Sequence, residues 1–394
     1  MGQKCIIISC IPNLTPLQEA GMLQMLNELK NRGLKVFFYS PNAHELLNSF
    51  AVKPGRFNRI LYKYYYYKSR FLIEEDKWKS RLKWWYSLQS KQQEDILFKE
   101  RVKQAIKLFC TMKPDMFVCW NPNAAPHGVH NEVAHIMGIK TGGIDWGLLP
   151  NTYILDSKGT LAMSEIFNRP VTYPDEALVE RVGTAIYNNL KNKSTSMYAQ
   201  ETKPLPPEAE RATGPKILLL GIDTLDSAAH PATHNDRKGL LPFHTSTYEQ
   251  ALAFAQADPS FTVIFKPHPS HNVHTEDVQV QNNMWVLNIN PDYLIDWADV
   301  VVCNGSKMEL SVLFKGKPLI NVGAGLVYKK GCSYEVYAPE QMVAMVTEAK
   351  NNGFTPQQQR AFKKLLGYLK HYYLYSYGEV ANNTASIDRF ISTL

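Results

Sequence analysis

No apolar run in the 394 residues approaches the roughly 20 needed to cross a bilayer. The first apolar stretch, Cys5–Cys10, is too short for a signal-peptide core and reads as a buried strand. Gly2 is followed by Ile6 where a myristoylation signal wants Ser or Thr, so lipidation there is not expected. Cysteine is scarce. The six (5, 10, 110, 119, 303 and 332) are scattered without metal-ligand spacing and read as buried thiols of a reducing cytoplasm. There is no internal repeat, no low-complexity tract beyond Tyr64–Tyr67, and no recognised nucleic-acid-binding motif.

What is present is the composition of a globular enzyme, with 45% hydrophobic and 20% charged residues. The length is too great for one core and suits two domains of about 200 residues each.

Residues 297–325 carry the most chemistry. Val300–Val302 is an apolar, β-branched run of the kind found in strands buried on both faces. Asn304-Gly305-Ser306 supplies a turn and an N-cap, Lys307–Phe314 a short helix, and Gly316-Lys317-Pro318 its end before a strand at Leu319–Val322. Such a strand–turn–helix unit aims free N–H groups and partial positive charge at a phosphate. Glu309, one turn into the helix, is placed to accept hydrogen bonds from ribose hydroxyls.

Some forty residues earlier, the strand Phe261–Phe265 runs into Lys266-Pro267-His268-Pro269. Two prolines fix that turn, and it presents a cation and an imidazole past a strand's carboxyl end, where open α/β sheets bind ligands. The two elements together look like the nucleotide half of a two-domain glycosyltransferase.

Charge is concentrated. Residues 53–103 hold 14 Lys/Arg against 6 Asp/Glu, a balance of +8 in a chain of net +7. The same segment holds Tyr62, Tyr64–Tyr67, Phe71, Trp78, Trp84, Trp85 and Tyr86. It reads either as a helical hairpin whose aromatics pack on the domain, or as a surface that meets an anionic membrane or glycolipid.

The first domain is expected over residues 1–200. It opens with a strand at Cys5–Ser9 and a capping box at Thr15-Pro16-Leu17-Gln18, and its helix stops at Gly33. Strands at Lys35–Tyr39, Met116–Trp120 and Lys140–Ile144 follow. The proline-rich stretch 192–214 reads as a linker. A nucleotide domain over 215–355 starts with Lys216–Leu220. Helices are expected at Pro339–Asn351 and Pro356–Tyr375, the last (356–394 overall) packing back on the first domain. Alternating strands and helices imply the α/β class with doubly wound, mostly parallel sheets.

Several motifs then align in order over roughly residues 116–325. Trp120-Asn121, Ala134–Ile139 and Asp145-Trp146-Gly147-Leu148-Leu149-Pro150 resemble the first half of the capsule polysaccharide synthesis family. Lys216–Gly221 with Asp226-Ser227, Lys266–Pro269, and Ser306, Glu309 and Gly316-Lys317-Pro318 resemble its second half. That family includes retaining β-Kdo transferases that use CMP-Kdo. The resemblance implies the GT-B architecture, two Rossmann-like domains facing a central cleft. It also implies transfer of Kdo from CMP-β-Kdo to a bacterial lipopolysaccharide O-antigen or capsule glycan.

On these positions Lys266, His268, Asn304, Gly305 and Ser306 would hold the CMP phosphate and Glu309 the ribose. Asp226 would be the nucleophile of a double displacement, with Asp223 close enough to compete for that role, and Asp145 would act at the acceptor hydroxyl. Ile222 stands where the family has Gln, and Asp145 is shorter than the usual Glu. No cofactor and no metal are expected, because the cationic groups neutralise the phosphate and Asp223-Thr-Leu-Asp226 has the wrong spacing for an Asp-x-Asp site. Asp223 and Asp226 also read as the N-cap and first turn of a helix.

His230, His234, His271 and His274 read as loop histidines, while His127 and His130 are candidates for the acceptor side. The expected partners are CMP-Kdo, a glycan or glycolipid acceptor and an anionic membrane met through 53–103, with no nucleic acid. The expected location is the cytoplasmic face of the bacterial inner membrane, and the chain reads as a candidate module of a larger synthase. Two other functions stay open: a CDP-glycerol glycerophosphotransferase of the teichoic-acid type, and a non-catalytic binding module of glycosyltransferase fold.

Overall fold

β-Branched and aromatic runs bounded by turn residues become the strands of two separate sheets. The computed structural model describes residues 3–10, 13–40, 58–122, 127–160, 164–167, 169–191, 193, 200–222, 246–269, 276–323, 325–378 and 383–394. The chain divides into two units, Met1–Glu165 with Lys370–Leu394, and Ile166–Leu369.

The first unit runs β1 (Cys5–Ser9), α1 (Pro16–Asn31), β2 (Lys35–Tyr39), α2 (Arg59–Leu72), α3 (Glu75–Tyr86), α4 (Lys91–Met112), β3 (Met116–Trp120), α5 (His127–Ile136), β4 (Lys140–Trp146) and β5 (Thr152–Asp156). The expected capping box starts α1: the Gln18 N–H donates to Thr15 Oγ1 at 3.4 Å and the Thr15 N–H to Gln18 Oε1 at 2.8 Å.

The second unit holds α6 (Glu176–Leu190), α7 (Pro207–Glu210), β6 (Lys216–Leu220), α8 (Thr247–Ala257), β7 (Thr262–Lys266), β8 (Val278–Gln281) and β9 (Met284–Val286). It continues through α9 (Pro291–Trp297), β10 (Val300–Cys303), α10 (Met308–Phe314), β11 (Leu319–Asn321), β12 (Tyr334–Glu335), α11 (Met342–Asn352) and α12 (Pro356–Tyr368). The chain then rejoins the first unit as β13 (Leu374–Ser376) and α13 (Thr384–Ile391).

Each sheet is parallel except at one end, where β5 pairs antiparallel with β4 and β13 in the first and β8 with β9 in the second. The first is ordered β13-β5-β4-β3-β1-β2 and the second β12-β11-β10-β6-β7-β9-β8. The central strands β1, β3, β7 and β10 are buried along their whole length, as strands covered on both faces must be. Separate apolar cores form around Ile6, Leu26 and Val118, around Trp78, Phe98 and Phe117, and around Ile217, Phe254 and Val302. The fold class is α/β, as expected.

The division differs from the expected boundaries. It falls after Glu165, ahead of the proline-rich stretch, because α6 packs on α12 inside the second unit. That crossing is close. A Cβ on Gly183 would lie 1.7 Å from the Lys363 carbonyl oxygen, and one on Gly367 would lie 1.8 Å from that of Val179. The helix expected over Pro356–Tyr375 runs as α12 to Tyr368 and continues as a π-helical turn over Leu369–Tyr373, stopping two residues short of the expected end. What returns to the first unit is β13, paired antiparallel with β5, and α13. The helical turn gives way at Leu374, where Leu374 and Tyr375 pair with the edge of β5 in place of a further turn.

The aromatics of the basic segment divide between core and surface. Tyr62, Tyr65, Tyr66 and Trp78 pack on the core, while Ile60, Tyr64, Tyr67 and Phe71 are exposed. All six cysteines are free and buried. Among the described residues, no helix is long and apolar enough to cross a membrane.

Candidate functional site

In the second sheet the chain winds outward from β6 through β7 and β9, then returns to lay β10 against the other side of β6. The gap between β6 and β10 is a topological switch point, where open α/β sheets bind ligands. Register brings the expected turns to this place. Leu220 pairs with Lys266 on one side and with Cys303 on the other. The turns that follow Lys266 and Cys303 therefore leave the same sheet edge, two strand spacings or about 10 Å apart.

Lys266, at the end of β7, is 3% exposed. Its Nζ donates to the Pro267 carbonyl oxygen at 2.6 Å and to Asn288 Oδ1 at 3.3 Å. Burial lowers its pKa to about 8, against the raising effect of Asp277. As it stands, the ammonium braces its own turn from below and does not reach out of it. His268, two residues on, is half-buried and is the ring the turn presents.

The second turn is more tightly built than its sequence suggests. Asn304 is buried, with its Nδ2 donating to Gln250 Oε1 at 3.2 Å. Ser306 Oγ accepts from the Met308 N–H at 3.2 Å. This shapes the turn, while the helix itself starts at Met308, one residue later than expected. The segment after β11 closes down on both side chains. A Cβ on Gly323 would sit 1.6 Å from Asn304 Oδ1, and one on Gly325 would sit 2.2 Å from Glu309 Oε1. Only glycine permits these approaches.

Glu309 corrects the expected ribose contact. It has no exposed surface. Oε1 accepts from the Gly305 N–H at 3.0 Å and Oε2 from the Val327 N–H at 3.2 Å. Burial raises its pKa to about 7, against the lowering effects of these N–H groups and of Lys330. A carboxyl held in this way ties the turn after β10 to the loop after β11, and in this structure it presents no surface to a ribose.

Lys330 is a residue the sequence pattern did not single out. It is nearly buried, and its Nζ donates to the carbonyl oxygens of Ile166 at 2.7 Å, Arg169 at 2.8 Å and Tyr328 at 3.2 Å. The pattern holds no signal for it, because two of its three partners, the Ile166 and Arg169 carbonyls, are far away in sequence.

Asp145 belongs to the other unit. It lies in β4, 7% exposed, with Oδ1 accepting from the Trp146 N–H at 2.7 Å. The first sheet has its own switch point between β1 and β3. There His127 and His130, in the first turn of α5, are fully buried beside Tyr39, whose hydroxyl lies 3.3 Å from His130 Nε2. Among the described residues, neither ring nitrogen of His127 has a hydrogen-bond partner. Burial, helped by the Arg101 charge, lowers its pKa to about 3, so the ring is neutral near pH 7. Asp223, Asp226, Ser227, His230, His234, His271 and His274 lie outside the described residues. Among the described residues, no group of three or more His, Cys, Asp or Glu side chains could hold a metal ion.

No family model matches the chain, and no curated protein does. Solved structures do resemble it in backbone. The beta Kdo 2,7 transferase of KpsC from Thermosulfurimonas dismutans aligns with a TM-score of 0.44 at 15% identity, over 80% of this chain and 95% of that one. The beta Kdo 2,4 transferase of the same protein aligns with a TM-score of 0.45 at 14% identity, over 70% and 86%. MnaA of S. aureus, solved with UDP, aligns with a TM-score of 0.33 at 10% identity, over 99% and 95%.

Proposed function

We propose that the chain is a retaining glycosyltransferase of the GT-B type that moves Kdo from CMP-Kdo to a bacterial surface glycan. The observation that carries this is the shared register of Leu220 with Lys266 and Cys303, which flanks one switch point with two phosphate-competent turns. In this proposal the His268 ring and the N–H groups opening α10 meet the leaving phosphate. The buried Lys266 charge stands beneath them, and no cation is needed. The motif resemblance over residues 116–325 supplies the sugar and the carboxylates.

Asp226 attacks the anomeric carbon while the bond to the CMP oxygen breaks and its electron pair leaves with CMP. The acceptor hydroxyl then displaces Asp226, and its proton passes to a carboxylate base, for which Asp145 is the candidate. Two inversions give net retention.

The test is release of CMP from CMP-Kdo in the presence of acceptor glycans, with CDP-glycerol as the competing donor. Asp226→Asn is expected to lower transfer about a thousandfold or more while CMP affinity is almost unchanged, since the residue acts on the sugar. Intact-protein mass spectrometry is expected to find the sugar adduct on Asp226. An adduct on Asp223 would move the nucleophile. Turnover of CDP-glycerol alone would assign the teichoic-acid reaction, and robust turnover by Asp226→Asn would overturn the mechanism.

A further inference from the structure

Helix α2 has two apolar faces, and only one of them is used by the fold. Tyr62, Tyr65, Tyr66, Ser69 and Ile73 face the core formed with α4 and α5. The rings of Tyr62 and Tyr66 lie parallel with centroids 6.3 Å apart, and Lys68 Nζ donates to the Ile136 carbonyl oxygen at 3.2 Å. These contacts fix the rotation of the helix. The other apolar residues are then held outward: Ile60 is 80% exposed, Tyr64 57%, Tyr67 70% and Phe71 88%. At 3.6 residues per turn, positions 60, 64, 67 and 71 fall within an arc of about 60°. They form one continuous stripe the length of the helix.

Among the described residues nothing covers this stripe, and an exposed apolar patch of this extent marks a contact surface. Its surroundings name the occupant. α2 carries Arg59, Lys63, Lys68 and Arg70 and no acidic residue. Arg59 and Lys63 are exposed on the flank of the stripe. Tyrosine and phenylalanine over a basic flank match the headgroup zone of an anionic bilayer, where rings enter the acyl boundary and ammonium groups meet phosphate. We infer that α2 docks this unit on an anionic lipid surface through Ile60, Tyr64, Tyr67 and Phe71, with Arg59 and Lys63 on the headgroups.

Helix α3, which matches α2 in Lys and Arg and adds tryptophans, is excluded from that role by its own contacts. Trp78 is 1% exposed and lies under the Arg81 guanidinium, 4.7 Å from its ring. Lys79 is held between Glu75 and Asp95, Lys83 pairs with Glu94 at 3.4 Å, and Lys77 with Glu74 at 3.8 Å. The lysines of α3 are paired with carboxylates, and in α2 Lys68 and Arg70 are held by Ile136 and Glu75, which leaves Arg59 and Lys63 as the exposed cations beside the stripe.

The inference is independent of the donor sugar and is tested without turnover. The full chain is sedimented with phosphatidylcholine vesicles, with or without phosphatidylglycerol, at low and at 0.5 M salt (about a 4–5 Å Debye length). Binding is expected only to anionic vesicles and is expected to be released by salt. Tyr67→Ser with Phe71→Ser, both at exposed sites, is expected to lower partitioning about tenfold or more, as is Arg59→Glu with Lys63→Glu. Lys83→Gln in α3 is expected to leave it unchanged. Equal binding to neutral vesicles, or loss through Lys83→Gln and not through the α2 variants, would overturn the assignment. So would a chain that dimerises through Phe71 in solution and ignores vesicles.

Discussion

The Glu309 carboxyl sits where two backbone N–H groups converge and water does not, and its titration should report that. Its pKa rises from 4.5 to about 7, chiefly through burial. Between those values the folded chain holds a proton that the unfolded chain has lost. The stabilisation is therefore complete below pH 4.5 and is lost as pH rises through 7, for a total of about 3 kcal/mol. Glu309→Gln cannot titrate. The stability advantage of the wild type over this variant is expected to shrink between pH 5 and pH 8 by about 3 kcal/mol, read from unfolding midpoints at each pH. A gap that stays constant would mean the carboxyl ionises normally. The residue types of this site were legible in the sequence, because prolines around His268 and a Gly-Ser turn after a β-branched run carry their meaning locally. The burial of Glu309 was not. It depends on Gly323 and Gly325 bringing a later segment against it, and helical spacing alone points the same carboxyl toward a ligand.

At the scale of elements, local signals did well where the physics is local. The capping box at Thr15 and Gln18 opens α1, and a second at Thr355 and Gln358 opens α12. The apolar runs at Cys5, Lys35, Met116, Lys216, Phe261 and Val300 all become strands. What failed was non-local. The helical path that follows α12 stops at Tyr373, where the chain joins a strand edge at β5, and the place of α6 is set by a helix crossing that no periodicity announces. That crossing makes a sharp prediction. Gly183→Ala puts a methyl group where the Lys363 carbonyl oxygen stands, and backbone on both sides leaves little room to yield. The variant is expected to lose about 3 kcal/mol and to lower the melting temperature by roughly 6–12 °C. Exposed Glu208→Ala in α7 serves as the control and is expected to stay within about 0.5 kcal/mol. Equal melting of Gly183→Ala and wild type would mean that the two helices separate readily.

At the scale of the molecule, two units with separate cores share one chain that passes between them twice. Charge is divided just as unevenly, with +8 in residues 53–103 of the first unit and a near-neutral remainder. If the donor nucleotide binds at the switch point of the second sheet, its binding free energy enters the stability of that unit first. A ligand at 100 times its dissociation constant adds about 2.7 kcal/mol, which slows exchange about a hundredfold for amides that need the whole unit to open. CMP is therefore expected to slow hydrogen exchange in β6, β7, β10 and β11, together with the loop that Glu309 and Gly325 hold. β1 and β3 of the first unit are expected to exchange as before. His268→Ala should reduce the protection in step with CMP affinity, weakened by roughly 1.5–3 kcal/mol if a charge-assisted hydrogen bond is lost. Glu309→Gln discriminates further. If the carboxyl is a brace, the variant destabilises β10, α10 and the following loop even without CMP, whereas a direct ribose contact would leave the unliganded exchange unchanged. Protection confined to the first unit, or full protection retained by His268→Ala, would put the nucleotide elsewhere.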